Sequence, residues 1–407
     1  MKENITLTHT LTNGLRIVHL PTDSEVAYCG LAVDAGTRDE APDESGLAHF
    51  VEHMLFKGTR RRRAWHILNR MEAVGGDLDA YTTKEETFLY SVFPAPHFER
   101  AVELIADLAA HAQFPAAEIE KEREVILDEI RSYEDAPAEL IFDEYESMLF
   151  DGHPLGRPIL GNKRALRRFD TLRGRSFMER YYTAANMVFF SMGATAFQRI
   201  VRMAERHFAD LPAVGIPHQR TSPAEVSPRE SVSRKRTHQS HVILGARACD
   251  LYDTRHAPLY LLNNILGGPG MNSRLNVALR ERRGLVYGVE SNLTCYTDAG
   301  LCTIYFGTDP RNRTQALDLV RAELARLRER PLSLTQLAAA KKQAIGQLRV
   351  AGDNRLFLTL GKSFLRFGRC DTPAETARRI EEVTADEILA VANEFLAPDR
   401  LSCLVYE

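Results

Sequence analysis

The stretch "GLAHFVEHMLFKGT", residues Gly46 to Thr59, sets two histidines and a glutamate into what otherwise reads as a buried helix. Wound at about 3.6 residues per turn from His49, Glu52 falls at roughly −60° and His53 at roughly +40°. The three therefore share one arc, about 100° wide. Leu47, Phe50, Val51, Met54 and Leu55 fall opposite, between about 100° and 240°. The minority face carries only imidazole and carboxylate, the side chains that ligate metals.

A catalytic zinc site takes three protein ligands and leaves a fourth position open. Histidines at i and i+4 reach a metal from one helical face, and the order here is H-x-x-E-H. Glu52, one turn from the first ligand, is placed to act as general base toward water. The competing reading is a helix with two satisfied histidines and an incidental glutamate. With 13 histidines in the chain, a chance match is on the order of a few per cent, so a third ligand has to be found. The candidate segment is "EIEKEREVILDEIRSYEDAP", where Glu122 and Glu129 lie two turns apart on one face. Acidic helices are usually just solvated, and spacing leaves Glu118, Glu122, Glu124 and Glu129 all open.

The rest of the composition narrows the class. The chain has 407 residues, 44% hydrophobic and 26% charged, with a net charge of −3, a balance usual for a globular protein of two or more domains. That charge leaves no footprint for nucleic acid or anionic lipid. The arginine run Arg60 to Arg63 reads as a solvated loop face. Six cysteines without a C-x-x-C pair argue against a zinc ribbon or a disulfide scaffold. The opening "MKENITLTHTLTNG" has no apolar segment of the kind a leader needs, and no run of about 20 apolar residues occurs. The expectation is a soluble chain in a reducing cytoplasm, without membrane or nucleic-acid partners.

A Pro- and Ser-rich stretch, residues 215–236, divides the chain into an N-terminal domain, 1–214, and a C-terminal domain, 237–407. Each half repeats one order of elements. The first opens with a hairpin at Asn13-Gly14 and the strand "VAYCGLAVDAG". The histidine helix, a second helix and one alternating strand, "LDAYTTKEETFLYSVF", follow. Helices over 95–112 and 116–133 lead to the strand "NMVFFSMGA" and a helix. The second half gives "HVILGARA" as strand, then "APLYLLNNILGG" and "MNSRLNVALRER" as helices. Two strands, "LVYGVESNLTCY" and "LCTIYFGTD", come next. Helices near 311–329, 333–350 and 385–396 then lead into "RLSCLVY". The order predicts an α+β fold of two homologous domains, each a mixed, mostly antiparallel sheet packed with helices. No histidine is expected on the second-half counterpart of the motif helix, so the metal site is single.

"HFVEHMLFKGT", "AYTTKEETFLY", "EREVILDEI" and "LGGPGMNSRLNVALRERRGLVYGV", taken in order, resemble the pitrilysin, insulinase and mitochondrial processing peptidase family over nearly the whole chain. The resemblance implies a zinc-dependent metalloendopeptidase with one Zn2+ per chain. His49, His53 and Glu129 would be its zinc ligands, Glu52 its general base, and Glu122 a support behind the ligands. It implies that a peptide substrate pairs with the strand Asp79, Ala80, Tyr81 and Thr82. The family usually has asparagine where Asp79 stands. Arg280 and Tyr287 match the pair that binds the substrate carbonyl and stabilises the oxyanion; from spacing alone they read as a surface arginine and a core tyrosine. Short relatives pair as dimers around a chamber, and some divide the zinc motif and the arginine–tyrosine pair between two related subunits. This chain carries both, which points to a homodimer, with a heterodimer as the other arrangement. The "LGGPG" segment, 266–270, resembles a reduced glycine-rich loop of processing-peptidase regulatory subunits but reads more simply as a turn.

Two other functions compete. A non-catalytic subunit of the same family would have lost ligands, whereas all four motif positions are intact. Short lyases that also use H-x-x-E-H carry cysteines at the site, and this motif has none nearby. A serine hydrolase lacks support because there is no G-x-S-x-G elbow.

Overall fold

The computed structural model describes residues 6–235 and 237–407. The first five residues of the segment read against a leader, and Arg236 at the end of the expected linker, lie outside the described residues. The chain forms two compact units that are not contiguous in sequence. The first comprises 1–131, 157–220 and 351–372; the second comprises 132–156, 221–350 and 373–407.

The first unit is built on a six-stranded sheet of β1 (Leu7–Thr10), β2 (Arg16–Pro21), β3 (Val26–Val33), β4 (Asp77–Thr82), β5 (Thr87–Pro94) and β6 (Met187–Gly193). Its spatial order is β1-β2-β6-β3-β5-β4, so β4 is an edge. The second sheet contains β7 (Glu230–Ser233), β8 (Ser240–Ala248), β9 (Val286–Cys295), β10 (Gly300–Thr308) and β11 (Ser402–Tyr406). Its order is β7-β11-β8-β10-β9. Strand for strand it repeats the first sheet without β1: β2 and β6 pair parallel, as do β7 and β11, and every other neighbour is antiparallel. The chain is thus an α+β duplication.

The helices of the first half of the sequence begin with α1 (Leu47–Leu55), α2 (Ala64–Glu72), α3 (Phe98–His111) and α4 (Ala116–Glu134). Then comes α5 (Pro137–Leu149), followed by α6 (Lys163–Leu166), α7 (Thr171–Tyr181) and α8 (Phe197–His207). In the second half follow α9 (His256–Gly267), a π-helical turn (Asn276–Glu281), α10 (Arg313–Glu329), α11 (Leu334–Val350), α12 (Asp353–Phe367), α13 (Pro373–Glu382) and α14 (Ala385–Phe395).

Two helices cover the sheet of the other sequence half. Phe357, Leu360, Gly361, Phe364 and Leu365 of α12 recur at helical spacing and pack on Tyr28, Phe88 and Phe190 of the first sheet. The Phe190 and Phe357 rings stack at 4.5 Å, and a Cβ on Gly361 would come within 2.8 Å of the Phe190 ring. In return α5 lays Ile141, Tyr145, Met148 and Leu149 on Ile243, Leu301, Leu404 and Tyr406. The Tyr145 hydroxyl donates to the Ser402 carbonyl at 3.1 Å. Burying each such aromatic or aliphatic side chain contributes about 1.5–3 kcal/mol.

Four local expectations need correction. The stretch read as one alternating strand is the hairpin β4–β5, turned by Thr83–Glu86. The segment "MNSRLNVALRER" forms the π-helical turn rather than a regular α-helix. The α9 helix begins one residue early, at His256, so a histidine does stand on it. Within the arginine run, Arg62 is not a solvated residue: it is largely buried and ion-paired with Glu103 and Asp107.

Candidate metal centre

The helix α1 buries Leu47, Ala48, Phe50, Val51, Met54 and Leu55 in the first unit's core. Its entry is fixed by Gly46, whose φ of +94° suits glycine and whose absent Cβ would meet Gly161 Cα and the Leu160 carbonyl at 2.8 Å. The buried Glu40 carboxylate caps the helix by accepting N–H bonds from Gly46 (3.0 Å) and Ala48 (2.8 Å). Burial pushes that carboxyl up to about 8 against the pull of the two N–H donors.

The opposite face of α1 presents His49 and His53, ring centroids 4.6 Å apart. Glu129 reaches them from α4, its Oε2 lying 3.9 Å from His49 Nε2 and 3.5 Å from His53 Nε2. Among the described residues, these three form the only group of His, Cys, Asp or Glu side chains that brings ligand atoms within 4.8 Å of one another. His53 Nδ1 lies 3.1 Å from Glu122 Oε2, a contact in which the ring N–H donates to the carboxylate and Nε2 is the ring nitrogen nearer Glu129. Glu122 is itself neutralised by Lys57, whose Nζ is 2.7 Å from Oε1.

Three buried atoms at this spot have no hydrogen-bond partner among the described residues: His49 Nδ1, Glu52 Oε2 and Glu129 Oε2. Buried polar atoms are rarely left this way, and an ion or water is the usual explanation. Burial, reinforced by the neighbouring His53, pushes His49 down to about 3, so its imidazole is neutral, the form that ligates. Burial also raises the Glu52 carboxyl, opposed by a hydrogen bond from Thr82 and reinforced by the charges of Asp79 and Glu129. The fully buried Tyr182 lies close enough for the Glu52 charge, after burial, to raise its hydroxyl further. The donor set therefore suits a divalent cation such as zinc: two imidazoles, one carboxylate, and a second carboxylate with a free oxygen beside them.

Asp79, Ala80, Tyr81 and Thr82 lie on the edge strand β4. Ala80 faces the core side of the first sheet, Tyr81 packs on Phe88 at 5.0 Å, and the Thr82 hydroxyl lies 3.5 Å from that of Thr87. Asp79 is exposed and is bonded by Tyr90 and by the Ala80 amide. Arg280 and Tyr287 belong to the second unit. Arg280 stands in the π-helical turn with its guanidinium carbon 5.7 Å from the Tyr287 ring centroid. Tyr287 is 88% exposed at the start of the edge strand β9, so it is not a core tyrosine. Sequence reading missed Lys57, Glu40 and Tyr182. Lys57 alone had a local signal, standing four residues after His53 on the same helical side.

This fold and donor set define a class: a duplicated α+β scaffold carrying an inverted H-x-x-E-H helix. Residues 17–163 match the family model for insulinase (peptidase family M16), and residues 174–344 match the peptidase M16 inactive domain. An uncharacterized zinc protease of Bacillus subtilis, YmxG, is 32% identical over 401 residues, covering 98% of this chain and 97% of its own. One from Rickettsia bellii is 32% identical over 409 residues, covering 100% and 98%. The fold superposes on the crystal structure of a peptidase M16 inactive domain from Pseudomonas fluorescens with a TM-score of 0.92 at 22% identity, covering 98% and 97% of the two chains. For a protease from Helicobacter pylori the TM-score is 0.90 at 19% identity, covering 99% of each chain. The chain belongs to peptidase family M16. Among the described residues no helix is long and apolar enough to cross a membrane.

Proposed function

We propose that the chain is a zinc-dependent endopeptidase that cuts small or unfolded peptides. What carries the reading is the convergence of His49, His53 and Glu129 beside the unpartnered Glu52 Oε2, with Thr82 of the edge strand β4 close enough to pull the Glu52 carboxyl down. The relatives named as zinc proteases support the same metal. His49, His53 and Glu129 would hold one zinc, which supplies Lewis-acid polarisation of a carbonyl and acidifies water.

The remaining work falls to the chain's own side chains. Glu52 takes the proton of the attacking water and returns it to the leaving amine, a role suited to a carboxyl raised by burial. Glu122 and Lys57 fix the His53 tautomer and ring. The outward backbone of β4 pairs with an extended peptide. Arg280 and Tyr287, supplied by a second copy of the chain, hold the developing oxyanion. The chain acts as a homodimer that encloses its substrate, in a compartment where its cysteines stay reduced.

The test compares wild type with Glu52→Gln for zinc content and for hydrolysis of a mixed peptide library. Both should hold about one zinc per chain and only wild type should cut. If both hold zinc and neither cuts, the chain is a non-catalytic subunit or half of a heterodimer.

A further inference from the structure

We propose that Asp79 makes the enzyme prefer peptides with a lysine or arginine side chain beside it, because its carboxylate occupies the Ala80 N–H until a cationic substrate draws it away. The inference rests on β4 being the strand that receives substrate.

The pairing of β4 decides which groups are free. The Thr83 N–H donates to the Glu86 carbonyl and closes the hairpin. Antiparallel bonding alternates from there, so Asp77, Asp79 and Tyr81 bond toward β5, while Leu78, Ala80 and Thr82 turn their N–H and C=O groups to the open edge. The Ala80 N–H is thus one that an incoming strand would use, and it donates to Asp79 Oδ1 at 2.8 Å. The other oxygen, Oδ2, accepts from the Tyr90 hydroxyl at 3.0 Å. Burial and this bond push Tyr90 up to about 12, so it remains a donor near neutrality.

A carboxylate is a stronger acceptor than a peptide carbonyl. A substrate carbonyl must displace Asp79 to reach the Ala80 amide, leaving the charge with one hydroxyl and water. Neither Asp79 nor Asp77, two residues back on the same face, has a cation within ion-pair distance among the described residues. A basic side chain on that face of the incoming strand supplies the missing counter-charge at the moment the amide is released. A neutral side chain offers no replacement, and an acidic one adds repulsion.

The experiment measures peptide binding to zinc-loaded Glu52→Gln, which reads docking without cleavage. Lysine, norleucine or glutamate is walked along one peptide of fixed length. Lysine should bind roughly three- to tenfold tighter than norleucine, at positions two residues apart because strand faces alternate. Adding Asp79→Asn should abolish that ratio, and a ratio that survives overturns the proposal. Ala80→Pro, which deletes the edge N–H at a position where proline is tolerated, should weaken every peptide, with zinc content reporting the fold. If Ala80→Pro changes nothing, the docking-strand reading fails and the proposal with it. If it weakens all peptides while Asp79→Asn leaves the lysine preference intact, the proposal fails alone.

Discussion

The two halves of the duplication put the same four helical positions to opposite uses. Aligning α1 with α9 sets the buried Phe50, Val51 and Leu55 on the buried Leu261, Leu262 and Leu266. Aligning α4 with α11 sets Ile119, Ile126 and Leu127 on Leu337, Ala344 and Ile345, all buried. In that register His49, Glu52, His53 and Glu129 correspond to Tyr260, Asn263, Asn264 and Gln347. The Asn264 amide donates to Gln347 Oε1 at 2.7 Å, and Asn263 exchanges bonds with Ser291 on the edge strand, donating to its carbonyl at 2.9 Å and accepting from its hydroxyl at 2.5 Å. Glu52 likewise has its edge strand beside it, where Thr82 pulls its carboxyl down against burial. The amide version satisfies itself, whereas the imidazole–carboxylate version leaves buried atoms unpartnered. The scaffold therefore does not make a metal site; only side chains that cannot satisfy one another do.

The comparison can be broken deliberately. Converting the first unit to the second unit's chemistry with His53→Asn and Glu129→Gln should remove zinc altogether and bring peptide cleavage to background. The metal-free protein should melt no lower than wild type, because the amides can pair. Glu52→Gln should slow cleavage about 10²- to 10⁴-fold with zinc retained, as steady-state rates and metal analysis would register. Glu122→Gln keeps the shape but weakens the acceptor behind His53, and should loosen zinc about 10- to 100-fold in a competition titration. The smallest effect is in the second unit. Asn264→Ala leaves Gln347 without its donor and should cost about 1 kcal/mol in denaturant melts, with zinc content unchanged.

The motif half of the site was legible because His49, Glu52 and His53 sit within one turn or so of a single helix, where periodicity alone fixes their direction. Glu129 was not, since α4 offers several acids and only the fold states which of them faces α1. The family resemblance made that choice. Tyr182 and Glu40 gave no signal, because their roles come from packing across long separations. The β4–β5 turn was invisible because "TKEE" contains no glycine, proline or asparagine. The Thr83 hydroxyl does the turning instead, accepting from the Glu85 and Glu86 amides and donating to the Glu86 carbonyl. The exchanged helices α5 and α12 were passed over for a different reason. An amphipathic pattern says that a face is buried but not against which sheet, and both helices cover a sheet formed by the other half of the sequence.

The most direct test of the central claim is a count of bound zinc by equilibrium dialysis, wild type against His53→Ala. The account gives about one ion per chain in wild type and none in the variant. Two ions per chain, or one that survives the loss of His53, would contradict it.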